Sequence, residues 1–71
     1  MDVLVFKTDI RYKKHVTAIS TEMNSQTEIS RWNVDLKDRD KILRIETGTL
    51  KPFMIENILR NAGHYCEELK D

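Results

Sequence analysis

This chain of 71 residues has very little cysteine, proline or glycine: one, one and two respectively. The lone cysteine, Cys66, excludes a disulfide within the chain. With so little proline and glycine and no low-complexity run, there is no sign of a linker, nor of a disordered tail beyond the last few residues. No apolar run approaches the roughly 20 residues of a membrane span. Neither sign of charge is in excess, since 12 Lys and Arg balance 12 Asp and Glu. Zero net charge argues against general nucleic-acid binding, which usually shows a basic excess. The start, Met1-Asp2-Val3-Leu4, lacks the basic region and long apolar core of a signal peptide. There is no glycine-rich phosphate loop and no supported Ser/His/Asp or Cys/His constellation, so the chain is not expected to be an enzyme. Together these absences predict a soluble, cytoplasmic protein without membrane insertion. The length predicts one domain over residues 1–71 with one modest core. A core that small needs well-matched layers or a staple such as a metal.

What the chain does have is periodicity. Val3-Leu4-Val5-Phe6-Lys7-Thr8 is rich in strand formers, and Leu4, Phe6, Thr8 and Ile10 fall on one face of a first strand. From about Tyr12 to Asn24 the period becomes helical, with Val16, Ile19 and Met23 in a stripe and Asp9 placed to cap the helix start. A second strand is predicted over Ile29 to Leu36, where Trp32, Val34 and Leu36 alternate with polar residues. The charged turn Lys37-Asp38-Arg39-Asp40 leads into a third strand over Lys41 to Glu46, and the two strands should form a hairpin. Asp38 and Asp40 are expected there on turn chemistry alone. Pro52 suits the first turn of a second helix, and Ile55, Ile58, Leu59 and Ala62 follow as its apolar stripe. Gly63 should end it in a left-handed conformation. His64 to Leu69 reads as a final edge strand. The order β-α-β-β-α-β predicts an α+β, ferredoxin-like fold, with two helices on one face of a four-stranded antiparallel sheet.

Three stretches resemble the heavy-metal-associated domain family, which includes soluble copper chaperones and the N-terminal domains of copper-transporting P-type ATPases. Phe6-Lys7-Thr8-Asp9-Ile10 resembles the strand leading to the family's metal loop. Trp32-Asn33-Val34-Asp35-Leu36 with Lys41-Ile42-Leu43-Arg44-Ile45 resembles its central hairpin, and Ile55 to His64 its second helix with the Ala-Gly end. The resemblance covers nearly the whole chain and implies a Met-x-Cys-x-x-Cys loop after the first strand. In this chain Ile10 stands at the Met position and Tyr12 and His15 at the two Cys positions. Two soft thiolates suit Cu(I); a protonated phenol and a single imidazole do not replace them. Arg11, Lys13 and Lys14 add fixed positive charge that opposes a bound cation.

Two functions follow. The first is a protein-interaction module related to metal-trafficking proteins, contacting another protein, such as a metal-transport component, through Arg11, Lys13, Lys14 and Lys7. The second is a weak metal carrier or sensor. The resemblance implies that the loop after the second helix lies beside the first loop, so His15 and His64 would converge, with Tyr12 or water, on Cu(II), Zn(II) or Ni(II). The plainer alternative is that His15 starts a surface helix and His64 fills a turn. No cofactor is expected beyond such a weakly bound metal. Cys66 reads as a small buried hydrophobe, and Met23 and Met54 as packing. RNA-recognition modules share the ferredoxin-like layout, but their aromatic signatures are absent from both central strands, and Trp32 alternates with core residues.

Overall fold

In the computed structural model, which describes residues 2–69, the elements follow in the order β1 (Asp2–Thr8), α1 (Lys13–Ser25), β2 (Ile29–Asp35), β3 (Ile42–Thr47), α2 (Pro52–Asn61) and β4 (Cys66–Glu68). The four strands form one antiparallel sheet in the order β2-β3-β1-β4. This is the expected ferredoxin-like arrangement. β1 and β3 are central because each segment that leaves them carries a strand out to an edge.

Strand alternation decides which face is packed. Leu4 pairs with Ile45 and Phe6 with Leu43, so the inward residues of β1 and β3 meet on one face. Ile19 and Met23 of α1 and Ile55 and Leu59 of α2 close over that face, and with Phe6, Ile10, Leu43, Ile45 and Cys66 they form the core. On the other face Val3, Lys7 and Arg44 are exposed. β2 carries an irregularity between Ile29 and Arg31. The extra residue resets the alternation, so that Ile29, Trp32 and Val34 all pack against the core although 29 and 32 differ in parity.

Several sequence expectations are corrected by this packing. Leu36 lies in the turn rather than in β2, because the Asp35 carboxylate accepts the Lys37 N–H (3.0 Å) and turns the chain. Lys41 precedes β3: its φ of 49° is left-handed and incompatible with an extended strand. Ala62 is exposed, since α2 ends at Asn61 and the Gly63 turn carries Ala62 off the apolar stripe. Met54 is exposed as well, on the outward side of the first turn of α2, whereas Met23 is fully buried. Trp32 is half-buried at the core margin, where its Nε1–H donates to Asn24 Oδ1 (2.9 Å). The final strand spans three residues, shorter than the six proposed from His64 to Leu69.

Candidate functional site

The loop after β1 is held from below. Thr8 is buried; its N–H donates to the Asp40 carbonyl (3.1 Å) and its hydroxyl to the Lys41 carbonyl (2.6 Å). The same hydroxyl accepts the Ile10 N–H (3.2 Å), and the Ile10 side chain is fully buried. These anchors leave Asp9, Arg11 and Tyr12 on the outside. Tyr12 occupies the N-cap of α1 with extended backbone and no side-chain cap. Its carbonyl accepts the N–H groups of His15 (2.9 Å) and Val16 (3.3 Å), which starts the helix. The first turn holds no acidic residue. The positive end of the helix dipole is therefore joined by Lys13 and Lys14 instead of being offset.

The loop after α2 meets this one. Gly63, at φ 86°, donates to the Arg60 carbonyl (2.9 Å), and His64 N–H donates to the Leu59 carbonyl (2.8 Å). This pair of bonds is a Schellman ending, and it projects His64 off the end of α2. Asp9 then joins the two loops: its Oδ1 accepts the Tyr65 N–H (3.1 Å) and lies 3.0 Å from His64 Nδ1. Asp9 is thus not the helix cap that its position in sequence suggested. The consequence is that His15 and His64 come together, with ring centroids 5.1 Å apart and planes tilted by 58°. The Tyr12 ring sits edge-on to His15 at 5.3 Å. His15 Nδ1 is shielded from solvent and has no hydrogen-bond partner among the described residues.

Arg11, Lys13 and Lys14 are exposed around this cluster, and Lys14 Nζ lies 5.7 Å from the centre of the Tyr12 ring. Lys7 is exposed on β1 and pairs loosely with Asp40 (3.8 Å). An open depression of about 670 Å³ runs beside the loop, lined by Lys7, Arg11 and Tyr12 together with Arg39, Lys41 and Tyr65. Sequence reasoning did not single out Arg39 and Lys41 as part of this surface. They lie in the hairpin turn, which the β1–β3 register carries to the end of β1 and the bonds from Thr8 fasten beneath the loop. On the far side, Tyr65 donates to Glu67 Oε1 (2.7 Å), and that carboxylate raises the Tyr65 phenol above its ordinary pKa.

Cys66 lies opposite Thr8 in the β1–β4 register and is buried. Burial, with the Glu56 carboxylate adding to it, pushes its thiol up to about 12. It stays protonated at neutral pH, and the chain has no second cysteine. A two-thiolate Cu(I) site therefore does not fit these residues. Among the described residues, no group of three or more His, Cys, Asp or Glu side chains is placed to hold a metal ion. No helix of the described residues is long and apolar enough to cross a membrane.

No family model and no curated protein matches the chain. Solved structures do match. The Cu(I)-loaded first domain of the human copper chaperone for SOD1 is 18% identical with a TM-score of 0.78, over 93% of this chain and 89% of that one. The yeast copper transporter domain Ccc2a, solved in apo and Cu(I)-loaded states, is 14% identical with a TM-score of 0.82, over 97% and 96%. The Atx1–Cu(I)–Ccc2a complex matches at 14% identity and a TM-score of 0.80, over 97% of this chain and 96% of that one. At identities this low the likeness establishes architecture, and the chain has the fold of the heavy-metal-associated domains of copper chaperones and copper transporters.

Proposed function

We propose that the protein is a non-enzymatic interaction module on the heavy-metal-associated fold, which has lost the soft cysteine pair and uses its first loop to dock another protein. The observation that carries this reading is the exposed run Arg11, Lys13 and Lys14 at the uncapped start of α1, continued by Lys7. Long cations on a helix start that already carries positive potential attract an acidic partner surface, which raises encounter rate and orients the approach. Support for a protein partner comes also from the Atx1–Cu(I)–Ccc2a complex among the structures of this fold. A component of metal transport is the partner class this favours.

The test is an NMR titration of isotopically labelled protein with a glutamate-rich peptide at low and physiological salt. Amide shifts are expected at Lys7 and from Arg11 to Lys14, weakening as salt screens the charges. A triple variant, Arg11→Glu, Lys13→Glu and Lys14→Glu, should fold normally and lose the response. Shifts scattered over the molecule, or unchanged in the triple variant, would remove this face as the docking surface.

A further inference from the structure

We propose that His15 and His64 form a binding site for a divalent transition-metal ion, Cu(II) foremost, with Asp9 orienting the second imidazole from behind. They are the only two histidines in the chain, and the fold sets them side by side from opposite ends of the sequence. The proposal stands apart from the docking surface and does not depend on it.

The spacing fits a shared ion. A metal bound at about 2.0–2.1 Å from a ring nitrogen lies roughly 3.2 Å from that ring's centre, and two rings on one ion then have centres roughly 4.5 Å apart in adjacent square-planar positions and roughly 5.2 Å apart in tetrahedral ones. The observed separation is 5.1 Å. The chemistry of the two rings fits as well. An ionised carboxylate can only accept, so Asp9 places the proton of neutral His64 on Nδ1 and leaves a lone pair on Nε2. A carboxylate behind a ligating imidazole is the usual way of fixing its tautomer and raising its basicity. The His64 side chain is only 13% exposed, so its orientation is held. His15 contributes a shielded Nδ1 without a partner, whereas buried polar atoms normally have one. An ion between the rings supplies what that ring lacks.

The donor set decides the ion. Imidazole nitrogens without a thiolate select Cu(II), Ni(II) or Zn(II) over Cu(I), and the affinity order of divalent ions puts Cu(II) first. The remaining positions fall to water, with the Tyr12 ring edge-on beside His15. Two protein donors surrounded by Arg11, Lys13 and Lys14 make a weak, readily exchanging site, not a structural one.

The experiment uses tag-free protein with Cu(II), Ni(II) and Zn(II) added as salts. Thermal unfolding should shift upward by several degrees with Cu(II) and by less with the other two, because an ion that binds only the folded state stabilises it. Electron paramagnetic resonance of the Cu(II) form should show coupling to two nitrogens. His15→Ala and His64→Ala should each abolish the shift. Asp9→Asn should retain binding at about tenfold or more lower affinity. In the unaltered protein, Cu(II) should broaden the amide signals around His15 and His64 first, a readout independent of any variant's folding. No shift with any ion, broadening centred elsewhere, or a shift that survives His64→Ala would overturn the proposal.

Discussion

Two buried side chains show how much rests on single atoms. The Thr47 hydroxyl donates to the Glu28 carbonyl (2.8 Å) and accepts the N–H groups of Thr49 (3.3 Å) and Leu50 (3.2 Å), closing the approach to α2 at a fully buried position. Thr47→Val keeps the shape and strands those partners, so it should cost about 2 kcal/mol, read as a lowered urea midpoint at unchanged slope. Cys66 is the second case. With its thiol pushed up to about 12 from an ordinary 9.0, the folded protein holds that proton more tightly than the unfolded chain does. The resulting stability is fully present below the ordinary value of 9.0 and is lost as pH rises toward the folded value of about 12. Denaturant melts of metal-free protein through that window should show the fall, and Cys66→Ala should flatten it. Alkylation by iodoacetamide near neutral pH should be slow in the native protein and fast in denaturant.

At the scale of elements, the end of α2 does more than stop a helix. Gly63 at φ 86° permits the paired bonds that place His64 against Asp9. A Cβ at Gly63 would meet no atom within 4 Å, so the penalty of Gly63→Ala is purely backbone. It should cost about 1–2 kcal/mol in a thermal melt, since L-residues resist the left-handed region. An altered ending would also move His64, and the NMR signals of His64 and Asp9 should shift together. β2 makes a comparable adjustment through the irregularity between Ile29 and Arg31, which turns Trp32 toward the helices.

For the molecule as a whole, size governs the response to core damage. A chain of 71 residues has a stability on the order of 4–10 kcal/mol. Phe6 is fully buried on central strand β1, paired with Leu43 on one side and Glu68 on the other. Phe6→Ala should cost about 3–5 kcal/mol and lower the melting midpoint by roughly 15 °C or more, or abolish the cooperative transition seen by circular dichroism. The milder change Phe6→Leu, smaller but still apolar, should retain the transition at a lower midpoint. Salt should change little of this, because the Lys7–Asp40 pair is loose and exposed.

The order of elements, the hairpin, Pro52 at the start of α2, Gly63 at its end and the burial of Phe6, Ile19, Leu59 and Cys66 were all legible in the sequence. Each is a local matter, written in a period of two or 3.6 residues, in the backbone preference of one residue type or, for Cys66, in the tendency of a lone cysteine to be buried. The absence of a cysteine pair was equally plain. The resemblance implied that His15 and His64 would converge, but nothing in the sequence showed how. Asp9 looked like a cap because a carboxylate just before a helix usually is one. Its partners are instead His64 and Tyr65, far along the chain. Arg39 and Lys41 join the loop surface because the β1–β3 register brings the hairpin turn to the end of β1, where Thr8 bonds it beneath the loop. Sequence alone determined the elements and the chemical groups available. The tertiary structure decided which groups meet, because the β1–β4 register and the bond between the two loops close contacts across tens of residues that no local pattern encodes.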